Sequence, residues 1–136
     1  MKFALIALSL VLSVSALAQS VYTFDCASDS GYIAVKIEAE KFNSQLRQVP
    51  AEFEVHSDAG SEIVPNAQIT NRLLNTTTGM FKLGISLGRT GSAEMSGNYV
   101  TQKGSFSVST KRTRIPSVPS ECRFSDDSEL NKLLIF

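Results

Sequence analysis

Residues 21–26 read VYTFDC, an alternation in which the aromatic residues and Cys26 share one face. Later in the chain Cys122 and Phe124 are separated in the same way. Alternation with a period of two is typical of a β-strand that lies with one face on a hydrophobic core. The two cysteines are therefore predicted to point into one core, from a strand near the beginning of the domain and a strand near its end.

Cys26 and Cys122 are the only cysteines of the 136-residue sequence. Structural zinc needs four ligands, and the single histidine, His56, would leave such a site incomplete. In an oxidising compartment two such cysteines predict one disulfide, which would close a loop of about 100 residues and stabilise the fold by about 4–5 kcal/mol at most. No metal or cofactor is expected.

The first 18 residues have the pattern of a secretory signal. Lys2 supplies a positive charge, an apolar run follows, and small residues surround the expected cleavage position after Ala18. The alternative, a membrane anchor, needs about 20 apolar residues, and this run is shorter. We therefore expect residues 1–18 to be removed, residues 19–136 to form a single domain, and the protein to be periplasmic or secreted.

The charge balance limits the class of partner. The chain carries 13 basic and 13 acidic residues, so its formal net charge is zero. A balance this close to neutral argues against general electrostatic capture by nucleic acid or by an anionic membrane. After the signal, no apolar stretch is long enough to be a transmembrane segment. A monomeric domain is expected.

Four further segments alternate with the period of a strand, and polar turn residues such as 28–31 and 57–60 separate them. The apolar faces consist of Ile33, Val35, Ile37 and Ala39; Ala51, Phe53 and Val55; Phe81, Leu83, Ile85 and Leu87; and Phe106 with Val108. Strands at this spacing predict an all-β fold, a small antiparallel β-sandwich or β-barrel closed by one disulfide. Residues 100–105 read as the tip of a hairpin.

Two segments favour a helix instead. Residues 65–74 begin with proline and place Ile69 and Leu73 four apart, which predicts one short helix. In the tail, leucines recur at helical spacing in residues 130–134, and Asp126 precedes Glu129 by three residues, as in a helix-capping pair. The tail is left open between helix and strand.

The sequence offers little material for catalysis. His56 alternates onto the same polar face as Glu52 and Glu54, and a histidine beside carboxylates can act as a general base. The two glutamates would lie roughly 6.6 Å apart along a strand, within the range of inverting glycosidases. No nucleophile is evident beside His56, however, and the chain has no tryptophan to stack on a sugar. A solvated polar face is the preferred interpretation, and no catalytic residue is predicted.

The densest positive charge lies in residues 111–114, with Lys111, Arg112 and Arg114. Two prolines in residues 115–119 would restrict the loop, and a pre-ordered loop loses less entropy on binding. Arginine suits carboxylate or phosphate partners through its paired donors. These three residues are the candidate binding site, for a protein or for an anionic envelope polymer; a loop that is merely solvated is the alternative.

Two short patches resemble exported β-barrel inhibitors of C-type lysozymes. They are YTFDC at residues 22–26, with its partner cysteine late in the chain, and SGNY at residues 96–99. In that family a longer signature surrounds the Ser-Gly pair, and Asn98 stands where the family has an arginine. The resemblance implies a barrel that blocks an exported enzyme. We expect an exported, non-catalytic binding protein, with an enzyme inhibitor as the alternative and a small hydrolase third.

Overall fold

The computed structural model describes residues 20–128, with side chains to residue 126. Within this range the chain forms eight strands and a single α-helix, α1 (Ala39–Phe42), which confirms the all-β prediction. The strands are β1 (Ser20–Ser28), β2 (Gly31–Glu38), β3 (Val49–Ser57), β4 (Gly60–Leu74), β5 (Met80–Ser86), β6 (Gly91–Asn98), β7 (Lys103–Thr110) and β8 (Arg114–Ser128). A 3₁₀ turn, Gly88–Thr90, joins β5 to β6. The helix is too short to span a membrane, and the described residues include no other α-helix.

The strands form a closed antiparallel barrel in sequence order, and β8 pairs with β1 to complete it. Of the two predicted architectures, the barrel is therefore correct. Closure pairs the backbone hydrogen-bonding groups of both terminal strands, which would otherwise form exposed edges.

The barrel interior is filled by apolar side chains. Phe24, Phe53 and Phe106 are fully buried and come from strands on different sides of the barrel. The alternation is confirmed on β2, β3, β5 and β7, where every inward strand residue predicted from the sequence is buried. Every buried side-chain nitrogen or oxygen of the described residues has a hydrogen-bond partner. Because side chains fill the interior, we look for a candidate functional site on the outer surface and at the two ends of the barrel.

The disulfide between Cys26 and Cys122 joins the first strand to the last, as predicted. The two residues are direct partners in the β1–β8 ladder, and their Cα atoms are 4.1 Å apart. Gly104 on β7 provides the space for the bond, since a Cβ there would lie 2.8 Å from the Sγ of Cys122. Both sulfurs are completely buried, so the bond is part of the core.

The predicted helix over residues 65–74 is wrong, because these residues belong to strand β4. Two irregularities in this strand explain the error. Pro65 and Asn66 together oppose a single residue of β3, and Thr70 is an extra residue opposite β5. Each bulge shifts the inward face by one residue, so inward residues recur at three-residue steps as well as at two. Proline is tolerated at such a bulge because the ladder needs no N–H there.

The inward positions of β4 consequently break the simple alternation, and they include a charged residue near each end of the strand. They are Glu62, Val64, Ala67, Ile69, Arg72 and Leu74. Ile69 is fully buried whereas Leu73, its supposed helical neighbour, is an exposed outer residue. Glu62 lies near one end of the barrel and Arg72 near the other.

The short helix that does form, α1, covers one end of the barrel, which we call the helix end. Ala39 and Phe42 are its buried residues, so the apolar face predicted to end β2 at Ala39 in fact continues into the helix. The guanidinium of Arg72 donates hydrogen bonds to the carbonyls of Phe42, Ser44 and Leu46, at 2.7–2.9 Å. One inward arginine thus attaches the whole β2–β3 connection to the barrel.

The opposite end, which we call the basic end, carries the β1–β2, β3–β4, β5–β6 and β7–β8 turns. The first two are the turns predicted at residues 28–31 and 57–60. The predicted hairpin tip is also confirmed, as the β6–β7 turn at the helix end, although Lys103 and Gly104 prove to be strand residues.

Several predictions fall wholly or partly outside the described residues. The secretory signal, residues 1–18, and the leucines of the tail remain predictions. Strand β8 extends to Ser128, however, so Asp126 lies in a strand and does not begin a helix.

Candidate functional site

The three candidate residues Lys111, Arg112 and Arg114 lie at the β7–β8 turn of the basic end. Thr110 closes this turn with its backbone, because its N–H donates to the carbonyl of Thr113 at 2.7 Å. Its hydroxyl oxygen also accepts the N–H groups of Arg112, at 3.2 Å, and of Thr113, at 2.8 Å. Two threonine residues therefore fix the backbone from which the cations project.

Glu62 fastens this turn to the barrel. One carboxylate oxygen accepts the hydroxyl of Thr110 and the hydroxyl of Thr113, each at 3.0 Å. Thr113 is only 4% exposed, and it is the buried polar residue of the described core. Hydrogen bonds to a charged acceptor are among the stronger ones, about 1.5–3 kcal/mol each. The sequence pattern gave no indication of this role, since Glu62 follows a polar turn and lies before a bulge.

Lys111, Arg112 and Arg114 are exposed, and no carboxylate of the described side chains lies within 4.0 Å of any of them. One expectation about this loop needs correction. Strand β8 begins at Arg114, so Pro116 lies in a strand, at a bulge opposite Ser107, and not in the loop. The turn is ordered by the hydrogen bonds of Glu62 with Thr110 and Thr113. Pro116 and Pro119 restrict only the backbone of the strand that follows the turn.

A depression beside the turn carries both signs of charge. Arg112 and Arg114 line it together with Asp29 of the β1–β2 turn and Asp58 of the β3–β4 turn. The sequence shows a basic segment, but the fold brings three other turns to the same end. The candidate surface is therefore mixed in charge, a property that only the barrel topology reveals.

His56 has a closer neighbour than the sequence suggested. Its Nδ1 atom lies 2.7 Å from the hydroxyl of Ser61, and its Nε2 atom lies 3.7 Å from a carboxylate oxygen of Glu54. Ser61 was missed as a candidate nucleophile, although the turn at residues 57–60 would have revealed it. A hairpin with two central residues, Asp58 and Ala59, pairs residue 56 with residue 61.

The His56 arrangement lies on the outer surface of the barrel. Ser61, His56 and Glu54 lie on the outer face of β3 and β4, and the histidine and serine are exposed. None of the three lines the depression at the basic end. Glu52 lies further along the outer face, opposite the Pro65 bulge.

A second cluster of titratable side chains, Asp25 and Tyr32, lies on the outer face of β1 and β2. Partial burial is the main cause that raises the pKa of Asp25 above its ordinary value; Arg123, whose Nε atom is 3.9 Å from the carboxylate, acts in the opposite direction. Burial also raises the pKa of Tyr32, and the negative charges of Asp25 and Glu54 add to that effect. These groups are electrostatically coupled across neighbouring strands, but none of them lines the depression at the basic end.

Tyr99, the last residue of the lysozyme-inhibitor resemblance, does not project from the barrel. Its ring packs 5.1 Å from that of Phe124, and its hydroxyl reaches the carbonyl of Thr76 at 3.5 Å. The exposed large hydrophobic residue of this turn is Val100, at 68%. Asn98 holds the turn by accepting the N–H groups of Val100 and Thr101.

Within residues 20–126, no three His, Cys, Asp or Glu side chains are grouped so as to hold a metal ion. Asp126 is a strand residue, and Glu129, its partner in the predicted capping pair, lies outside the described residues. Comparison with known proteins gives no match: no protein-family model, no curated protein and no solved structure is significantly similar to this chain.

Proposed function

We propose that this chain is an exported, non-catalytic binding protein that docks an acidic group of its partner onto Lys111, Arg112 and Arg114. The observation that carries the proposal is the β7–β8 turn: three exposed cations without ion-pair partners among the described residues, on a backbone that Glu62 holds in place. The disulfide in the core is consistent with an oxidising, exported location.

The ordered backbone of the turn lowers the entropic cost of binding. Ordering a flexible loop on binding costs free energy for every immobilised residue, and this turn has its backbone hydrogen bonds in place beforehand. Arginine side chains offer paired donors that match a carboxylate or a phosphate. Exposed cations also accelerate association with an acidic partner, most strongly at low salt.

The direct test is an NMR titration of the ¹⁵N-labelled domain with a triglutamate peptide at low salt. Amide shifts are expected at residues 110–114, and they should disappear in Arg112→Gln/Arg114→Gln. The matched control is Lys36→Gln/Lys82→Gln, which removes the same charge from exposed positions on β2 and β5. Shifts that persist in the arginine variant, or that fall elsewhere, would refute the proposal.

An inhibitor of an exported enzyme is the second candidate. The observation in its favour is the β6–β7 turn, where the Asn98 hydrogen bonds hold an exposed Val100 in one position. A rigid projecting turn is a suitable shape for an enzyme cleft. If this candidate is correct, the domain lowers the activity of a C-type lysozyme, and Val100→Asp abolishes that effect. Full enzyme activity at a large molar excess of the domain would eliminate it.

A further inference from the structure

The basic end of the barrel is nearly balanced in charge despite the run of cations that gives it its name. Its cations are Arg89 on the 3₁₀ turn with Lys111, Arg112 and Arg114; its carboxylates are Asp29, Asp58 and Glu62. Four positive groups thus face three negative ones. A long polyanion that approached this end would meet the carboxylates as well as the arginines.

The two aspartates are placed to affect any ligand of the arginines. Asp29 and Asp58 line the same depression as Arg112 and Arg114, so a group seated there lies among all four side chains. Neither aspartate is within 4.0 Å of a cation among the described side chains, so neither is neutralised by a partner of its own. Both are exposed, and both lie in tight turns closed by serine hydroxyls.

Each of these turns is fixed in the same way as the basic one. The hydroxyl of Ser28 accepts the N–H of Ser30 at 3.1 Å, and the hydroxyl of Ser57 accepts the N–H of Ala59 at 3.2 Å. These hydrogen bonds fix the backbone from which Asp29 and Asp58 project beside the arginines. Fixed charges of both signs select a partner with the complementary pattern and reject one of uniform sign, because like charges oppose each other at close range.

We propose that the basic end recognises a protein surface on which a carboxylate is flanked by lysine or arginine side chains, and that Asp29 and Asp58 discriminate against uniformly anionic polymers. This inference rests on the proposed function, since it presumes that the arginines bind the carboxylate. In this inference, Asp29 and Asp58 contact the lysine or arginine side chains that flank that carboxylate on the partner. Of the two partner classes that the sequence leaves open, it selects a protein over an envelope polymer.

The test compares two synthetic peptides of equal length, polyglutamate and an alternating glutamate–lysine peptide, as ligands of the folded domain at low salt. The wild-type domain should bind the alternating peptide more tightly. In Asp29→Asn/Asp58→Asn the preference should shift toward polyglutamate by about fivefold or more, as expected when repelling charges are removed from a binding surface. The control, Glu40→Gln/Glu52→Gln, removes two exposed carboxylates outside the basic end and should leave the preference unchanged.

The outcomes separate this inference from the proposed function. If Arg112→Gln/Arg114→Gln abolishes binding but the aspartate variant keeps the wild-type preference, the arginines bind and the aspartates do not discriminate. An equal shift in the aspartate variant and its control would likewise overturn the inference, because net charge alone would explain it. If the arginine variant binds both peptides normally, or the wild type binds neither, the proposed function itself fails.

Discussion

The carboxylate of Glu62 accepts a 3.0 Å hydrogen bond from the hydroxyl of Thr113, which lies 51 residues further along the chain. The bond joins strand β4 to the β7–β8 turn across one end of the barrel. At the other end of the same strand, Arg72 holds the β2–β3 connection through three carbonyl groups. Strand β4 thus places a charged, inward side chain at each end, and each one orders a connecting segment.

Removing the Glu62 carboxylate should loosen the candidate binding turn. Glu62→Ala leaves the hydroxyls of Thr110 and Thr113 without their acceptor, which we expect to cost about 1–3 kcal/mol in the free energy of unfolding. Hydrogen–deuterium exchange should increase at residues 111–113 in particular. Glu62→Gln retains an acceptor oxygen and should show a smaller effect, and equal effects of both variants would argue against the hydrogen bonds as the cause.

Arg72 should be difficult to replace even by lysine. Lysine keeps the positive charge but cannot reproduce the forked guanidinium, which donates to Phe42, Ser44 and Leu46 from two nitrogens. We expect Arg72→Lys to lower the free energy of unfolding by about 1–3 kcal/mol, as measured by urea denaturation. Arg89→Lys, at an exposed turn, should stay within about 0.5 kcal/mol. A neutral Arg72→Lys would show that the helix end is held by packing alone.

The disulfide should contribute several kcal/mol through the entropy of the unfolded chain. Replacing both Cys26 and Cys122 by alanine releases a sequence separation of 96 residues, and the expected loss is about 2–5 kcal/mol. The fold should persist at low temperature, since the β1–β8 ladder does not depend on the bond. Urea denaturation of the oxidised domain and of the double variant measures the difference. Coincident curves would mean that the bond adds nothing to stability.

Asp25 should make the domain less stable as pH rises above the ordinary carboxyl pKa. Burial raises the pKa of Asp25 in the folded state above its ordinary value of 3.8. Between those two pKa values the folded state binds more protons than the unfolded state, so its stability falls as pH increases through that interval. Asp25→Asn should therefore unfold at a higher urea concentration than wild type at neutral pH. Arg123→Gln should move the measured pKa of Asp25 further upward, and a downward shift would contradict this assignment.

Local alternation was sufficient to predict most of the strands and the fate of both cysteines. The inward residues of β2, β3 and β5 follow the period of two without interruption, and the core is built from them. The prediction for β4 was wrong because the bulges at Pro65 and Thr70 introduce three-residue steps that resemble the spacing of a helix. A bulge is stabilised by the neighbouring strand, so the local sequence does not reveal it.

Closure and the candidate site depend on contacts between distant residues. A sandwich and a barrel share the same alternation, and only the pairing of β1 with β8 distinguishes them. The basic residues 111–114 were identified from composition, but Glu62 and the aspartates that modify them are brought close only by the barrel. Ser61 is the exception, since hairpin geometry alone places it beside His56.

The central claim is that the β7–β8 turn holds its cations in one conformation before a partner arrives. Backbone ¹⁵N relaxation of the free domain tests it most directly, at Lys111, Arg112 and Thr113. The account predicts order parameters of about 0.8 or above, similar to those of the adjoining strands β7 and β8. Values below about 0.6 at these three residues would show a turn that is mobile on the fast timescale, and would contradict the claim.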